Sequence, residues 1–342
     1  MKILFIGGTG IISRDCVIAA SEAGHDVYTL TRGQSALSSP VDSEHSLVAD
    51  ASNEQQVRRV LTGHHFDVVV QWTCYVPSQA ARDVGIFADV GQYVFISSAS
   101  AYEKPPSHWL ITESTPLVNP YWQYSRDKIA SEQVFMTAFE TTGFPVTIIR
   151  PSLTYGASQI PVAVGSWSKP YTIVERMRRG APIIVPGDGT SIWTITHSTD
   201  FARGLTPLFG RDEAIGEAFH ITSDEALTWN QIYGALADAV GVAIDIRHVP
   251  TDGIVAADRS LEGTLWGDKV NSTVFDNAKL RSLVPDFHAV VPFAEGIRRT
   301  VAWFDEDVRR REVDDAANVL WDRLAMIYGE ALIRAAGEGA GG

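Results

Sequence analysis

Residues 2–13 read KILFIGGTGIIS, and this stretch decides the fold. Lys2 to Ile6 is the short, nearly unbroken apolar run of a parallel strand buried on both faces. Gly7-Gly8-Thr9-Gly10 follows at once, and a helix-like stretch then runs to about Ala23, closed by Gly24. The pattern repeats outward from there. Strand-like runs fall at 26–31 (DVYTLT), 46–49 (SLVA), 67–71 (DVVVQ), 92–97 (QYVFIS) and 145–150 (PVTIIR), and helical stretches near 53–62, 77–89 and 121–142. Apolar strands alternating with helices predict an α/β fold built on a doubly wound parallel sheet.

After Arg150 the texture changes. Residues 151–170 are rich in Gly, Pro and Ser and read as a long loop region. A helix at 171–179, a strand at 183–185 (IIV), and strands at 192–197 (IWTITH) and 217–221 (EAFHI) around a helix at 199–209 follow. The last two strands are candidates to rejoin the first sheet. Helices at 229–240, 276–283, 292–305 and 314–336 and a strand at 244–249 (IDIRHV) complete the pattern. The expected organisation is a nucleotide-binding-type domain of residues 1–165 plus about 191–225. A smaller mixed α/β domain of residues 166–190 and 226–336 takes the substrate, with the active site between the two. The end, 337–342 (GEGAGG), is expected to be disordered. There is no internal repeat.

Composition narrows the function. The chain has 342 residues, 45% apolar and 20% charged, enough for a sizeable core. Its net charge of −13 repels phosphate backbones, so no nucleic-acid partner is expected. No apolar run approaches the roughly 18 residues of a membrane span. Only Cys16 and Cys74 are present, which excludes a disulfide framework, and no zinc-like spacing appears, so no metal is expected. A strand beginning at residue 2 leaves no room for a signal peptide, and the expected location is the cytoplasm.

Three constellations carry chemistry. The first is Gly7-x-x-Gly10-x-x-Ser13, where a strand turns into a helix. Glycines let the backbone approach a pyrophosphate, and the helix start at Ile11 and Ile12 offers free N–H groups and a positive dipole end. Ser13 stands where a third glycine is usual, and it is small enough for close helix packing. The second is the end of the second strand, where a carboxylate for a ribose 2′-hydroxyl would sit. Here Thr31 is followed by Arg32, and a guanidinium suits a 2′-phosphate. Arg32 therefore tilts the cofactor from NAD toward NADP, the alternative being that it stacks on adenine or lies in solvent. Asp50, with Ala51, follows the third strand, where it either binds the adenine amino group or caps a turn.

The third constellation is Tyr124-Ser-Arg-Asp-Lys128, a phenol and an ammonium on one helix face, with Ser98 ending the apolar strand VFIS. A nearby cation favours the phenolate, so Tyr124 could exchange a proton with a hydroxyl or carbonyl while a nicotinamide transfers hydride. Ser98 would hold the same oxygen in line.

With these pieces the chain resembles the extended short-chain dehydrogenase/reductase superfamily, in the NAD-dependent epimerase/dehydratase family. The resemblance runs over roughly residues 1–305 and rests on GGTGIIS (7–13), VFISSASAY (94–102), YSRDK (124–128), IIRPSLTYG (148–156) and PGDGTSIWTITHSTDFARG (186–204). It implies a Rossmann sheet and a catalytic trio of Ser98, Tyr124 and Lys128, with Lys128 also holding the nicotinamide ribose. It further implies a pyrophosphate lined by Gly7, Gly10 and Ser13, adenine beside Asp50 and Ala51, and a homodimer pairing the helices at 77–89 and 121–142. The nucleotide-sugar dehydratases resemble Thr-Asp-Glu where this chain has Ser98-Ala99-Ser100, so the two carboxyl groups that drive loss of water are missing. Epimerases carry Arg near Trp193 and often Asn at Leu153, and both polar grips are absent. The TRG turn at 31–33 and GDG at 187–189 are similar to an atypical branch, some of whose members bind RNA.

Weaker candidates surround this set. Trp72 follows the fourth strand where a cofactor would lie, and Trp122 could wall the pocket beside the reacting carbon. Ser100 is the fallback should Ser98 point away, and Trp193, like Trp167 and Trp266, could add an apolar substrate surface. Cys74 reads as a packing residue and Asp188 as a turn residue. The expected function is that of an NAD(P)-dependent oxidoreductase or epimerase acting on a secondary alcohol or ketone of a sugar-like small molecule. The alternative is a non-catalytic nucleotide sensor or RNA-binding protein.

Overall fold

Seven parallel strands form the main sheet: β1 (Lys2–Ile6), β2 (Asp26–Thr31), β3 (Ser46–Val48), β4 (Val68–Gln71), β5 (Gln92–Ile96), β6 (Val146–Ile149) and β7 (Ala218–Phe219). Their spatial order is β7-β6-β5-β4-β1-β2-β3. The order reverses between β1 and β4, paired through Ile3↔Val68 to Ile6↔Gln71, the switch point at which sheets of this kind take their ligands. The helices of this unit are α1 (Ser13–Glu22), α2 (Glu54–Leu61), α3 (Pro77–Ile86), α4 (Gln123–Thr142) and α5 (Ser198–Leu205). In the computed structural model the described residues are 1–34 and 40–339, with side chains as far as 331.

Local chemistry explains where these elements begin and end. Asn53 caps α2 by accepting from the Gln56 N–H (3.1 Å), and Pro77 starts α3, where its missing N–H costs nothing. Gly143 stops α4 in a left-handed conformation (φ 76°). The sheet buries both faces. Ile3, Phe5, Val68, Val70, Val94 and Ile149 pack against α1 and α5, and Leu4, Ile6, Val69, Tyr93, Phe95 and Ile148 pack on the other side with Phe135 of α4.

The chain divides into two compact units. The first holds residues 1–154, 196–224 and 275–290, and the second 155–195, 225–274 and 291–342. Residues 275–290, expected in the substrate domain, lie in the first unit. Of the two strands considered for the main sheet, Ala218–Phe219 joins it as β7. Ile192–His197 does not. It pairs antiparallel with Ala226–Thr228, Trp193 opposite Leu227, because an apolar alternating run does not specify which sheet it completes. The second unit also contains the parallel pair Ile183–Pro186 with Ile246–Val249 and an apolar cluster of Val164, Ile184, Val249, Ile254, Trp321 and Leu324. The expected tail begins inside a helix, Asp315–Gly339, and 340–342 lie outside the described residues. Among the described residues no helix is long and apolar enough to cross a membrane.

Candidate active site

The turn after β1 sits at the switch point and is locked by its own residues. The Gly10 N–H donates to Ser13 Oγ (2.8 Å), and the Ser13 hydroxyl donates to the Gly7 carbonyl (2.7 Å). Ser13 therefore closes the loop as well as packing the helix. Gly7 has φ 88°, and a Cβ there would lie 2.7 Å from Thr73 Cγ2 and 3.3 Å from Trp72 Cβ. Gly8, not singled out in the sequence, is the closely packed glycine, its added Cβ meeting Thr29 Cγ2 at 2.8 Å and Val17 at 3.1 Å. The first turn of α1 has no side-chain cap, and of its N–H groups that of Arg14 donates to the Gly10 carbonyl (3.1 Å). Trp72 donates its backbone N–H to Ile6 (3.0 Å), stacks edgewise on Phe201, and buries an indole N–H with no partner. A glycine cradle, a helix start without a side-chain cap and an orphaned donor at a switch point fit a dinucleotide's pyrophosphate.

At the end of β2, Arg32 is exposed. Asp50 accepts from the Ser52 N–H (2.9 Å) and hydroxyl (2.7 Å), and these bonds hold its carboxyl below the usual range, with Arg32 and Arg82 adding a smaller pull. Asp50 is thus a turn cap with Arg32 near enough to be felt. Ala51 is half-buried beside the core under β4.

The three residues of the expected trio lie on α4 and just beyond β5. Lys128, on α4, is 1% exposed and donates to the carbonyls of Cys74 (2.7 Å) and Ile96 (2.8 Å), just beyond β4 and at the end of β5. Its Nζ lies 4.9 Å from the Phe95 ring centre, 5.0 Å from Tyr75 and 5.9 Å from Tyr124. Burial lowers its pKa to about 8. Tyr124, one turn earlier, is half-buried and stacks at 4.9 Å on Trp122. Ser98 ends the extended segment after β5 and caps the short helical turn Ala99–Ala101, its Oγ accepting from the Ser100 N–H (3.2 Å).

Residues that the sequence did not single out hold this arrangement. Asn119 is buried, donates to the Ser100 carbonyl (2.8 Å), and accepts from the N–H groups of Tyr121 and Trp122 (each 3.2 Å). It thereby joins the Ser98 turn to the start of α4. Glu132, one turn after Lys128, pairs with buried Arg150 (2.7 Å) and accepts from the Ser97 hydroxyl. Tyr102 extends that network, its hydroxyl 3.1 Å from His220 Nδ1. Ser97, Tyr102 and Arg150 lie inside the quoted stretches 94–102 and 148–156, while Asn119 and Glu132 flank YSRDK, and nothing in the sequence assigned them these roles.

Two residues expected to face a substrate are buried instead. Trp193 is enclosed in the second unit, its indole N–H donated to the Lys269 carbonyl (2.9 Å) and its ring 5.3 Å from Trp229. It is a core residue and offers no face to a substrate. Ser100 is 4% exposed and points into a hydroxyl chain rather than outward. Cys74 packs as read, its thiol pushed by burial to about 12. Asp188 holds its own turn by accepting from Thr190. Among the described residues no group of His, Cys, Asp and Glu is placed to hold a metal.

Residues 78–221 match the NAD dependent epimerase/dehydratase family. The chain is 25% identical over 293 residues to the 2′-dehydrokanamycin reductase of Streptomyces kanamyceticus, covering 84% of this chain and 80% of that protein. It is 26% identical over 252 residues to a chloroplast stem-loop binding protein of Arabidopsis thaliana, covering 70% and 63%. A dTDP-glucose 4,6-dehydratase from Streptomyces venezuelae, crystallised with NAD, shares the fold with a TM-score of 0.71 at 23% identity, covering 90% and 98%.

Proposed function

We propose that this chain, whose residues 78–221 match the NAD dependent epimerase/dehydratase family, is an NAD(P)H-dependent reductase of a secondary ketone on a sugar-like ring. The observation that carries the proposal is Lys128. Its ammonium is buried on two carbonyls with no carboxylate within ion-pair distance among the described residues. A buried cation without a structural ion pair is costly and marks a functional site.

A bound nicotinamide dinucleotide would supply the hydride. The chain's residues do the rest. Tyr124 gives its proton to the oxygen that becomes a hydroxyl, and Ser98 holds that oxygen by a hydrogen bond. Lys128 keeps positive charge near the Tyr124 ring, which favours the phenolate left behind, and two of its three N–H groups are spent on the backbone, leaving the third for a ribose hydroxyl. Ala99 and Ser100 provide no carboxyl for loss of water, which separates this reading from a dehydratase. The similarity to a 2′-dehydrokanamycin reductase favours reduction with an exchangeable cofactor over epimerisation with a retained one. Arg32, exposed where a carboxylate would exclude a 2′-phosphate, makes NADP the proposed form. A homodimer through α3 and α4 and a cytoplasmic location belong to the same proposal.

The test is to denature the purified protein, identify any released nucleotide, and titrate the empty protein with NADPH and NADH. Exchangeable NADPH binding, followed by NADPH oxidation with ketosugars, meets the proposal. Stoichiometric retained NAD overturns it in favour of an epimerase. A second reading, RNA binding, is favoured by the similarity to the stem-loop binding protein. Salt-dependent retention of a stem-loop RNA, unaffected by Tyr124→Phe, in a protein that binds neither dinucleotide would establish it instead.

A further inference from the structure

Ser125 follows Tyr124 in α4, is fully buried, and has a hydroxyl that plays no part in the helix ladder. It donates to Ser100 Oγ (2.8 Å), and Ser100 Oγ lies 2.8 Å from Ser98 Oγ. Each hydroxyl has one proton and two acceptor lone pairs. Either oxygen of the Ser98–Ser100 contact can donate, but Ser100 is buried and Ser125 already donates to it, so among the described residues Ser98 is the hydroxyl placed to accept the Ser100 proton. Ser98 Oγ then accepts twice, from the Ser100 hydroxyl and from the Ser100 N–H (3.2 Å). Its remaining proton points to neither.

We propose that Ser125 and Ser100 are positioning residues that fix Ser98 as a hydrogen-bond donor to the substrate oxygen. The inference rests on the ketone-reductase reading and deepens it. A serine that must donate selects an acceptor oxygen, a carbonyl becoming an alkoxide. Hydroxyls in a chain polarise one another, so the donor at its end is strengthened. Without Ser125 the bond between Ser98 and Ser100 can run either way, and Ser98 spends part of its time donating inward. Asn119, holding the Ser100 carbonyl and the start of α4, keeps the three hydroxyls in register.

The test compares Ser125→Ala, Ser100→Ala and the double variant with the unmodified protein, with NADPH and 2-hydroxycyclohexanone as the ketone. We expect Ser125→Ala to lower kcat about threefold to tenfold while KM for NADPH stays within about twofold, and Ser125→Thr to restore it. Because Ser125 acts through Ser100, the double variant should be no slower than Ser100→Ala alone. An equilibrium measurement accompanies the rates. The NADPH complex should bind cyclohexanecarboxamide, whose carbonyl accepts but is not reduced, severalfold more weakly in Ser125→Ala, read by quenching of NADPH fluorescence. Unchanged kcat and amide affinity in Ser125→Ala, or additive losses in the double variant, overturn the proposal while a slow Tyr124→Phe leaves the parent reading standing. Full turnover in Tyr124→Phe overturns both.

Discussion

Lys128 makes a quantitative prediction that needs no substrate. Its ammonium is held below the usual lysine range, at about 8, chiefly because burial penalises the charged form. In the unfolded chain the same group keeps its proton to about pH 10.5. Between those two values the unfolded chain binds more protons than the native one, so stability rises with pH. Below pH 8 the cost of the buried charge is fully present. From pH 7 to pH 9 the native group loses most of one proton, which amounts to about 1.4 kcal/mol of added stability at 1.36 kcal/mol per pH unit. Lys128→Met keeps the apolar stem and removes the titration. It also leaves the Cys74 and Ile96 carbonyls without their donor, but that loss does not vary with pH. The assay is urea unfolding of the cofactor-free protein and the variant at pH 7, 8 and 9 and constant ionic strength. The difference in stability between the two proteins should shift in favour of the unmodified chain by about 1.4 kcal/mol across that range. Carbon-13 NMR of lysine Cε provides a direct check, since the chain has only six lysines. Parallel stability curves, or a Lys128 titration midpoint at the ordinary lysine value, would refute the reasoning.

Tyr124→Phe should leave folding and dinucleotide affinity intact and lower turnover by roughly 10²–10⁴-fold, the usual worth of a positioned acid, in steady-state kinetics. Arg32→Ala should weaken NADPH roughly tenfold and NADH little in fluorescence titrations, and equal losses would make Arg32 a bystander. Gly7→Ala should destabilise the protein by about 1–2 kcal/mol in urea and abolish dinucleotide binding, because its φ of 88° and the 2.7 Å approach to Thr73 leave a Cβ no relaxed position. Glu132→Gln should lower the thermal midpoint and kcat together, since Arg150 would lose its buried charge partner and Ser97 its acceptor.

The sheet was legible wherever one segment carried its own explanation. β1, β4, β5 and β6 are largely apolar runs bounded by turn residues, as strands buried on both faces must be. The glycine turn was legible for the same reason, since backbone freedom at Gly7 is demanded by its neighbours in sequence. What the sequence concealed was the partner of each later strand. Ile192–His197 has the texture of a sheet strand, yet its register with Ala226–Thr228 depends on a segment some thirty residues away. Trp193 inherits that ambiguity. An indole suits a substrate wall or a core equally well, and only the Lys269 carbonyl and the Trp229 ring decide between them.

The same distinction separates the reactive groups from those that hold them. Tyr124 and Lys128 announce themselves because both lie on one turn of one helix. Their supports are scattered: Lys128 binds carbonyls 54 and 32 residues away, Arg150 reaches Glu132 across 18, and Tyr102 meets His220 across 118. Each support is an ordinary polar residue whose importance comes only from burial beside the right neighbour. Glu132 is the clearest case. One turn beyond Lys128 on α4, it is fixed by Arg150 from the end of β6 and by Ser97 from the end of β5. Moving either strand end would therefore move α4 and Ser98 together. If Tyr124, Lys128 and Ser98 act as proposed, the acid, cation and donor come from two segments and need such a tie, because a displacement of about 1 Å at the reacting oxygen can cost roughly a hundredfold in rate.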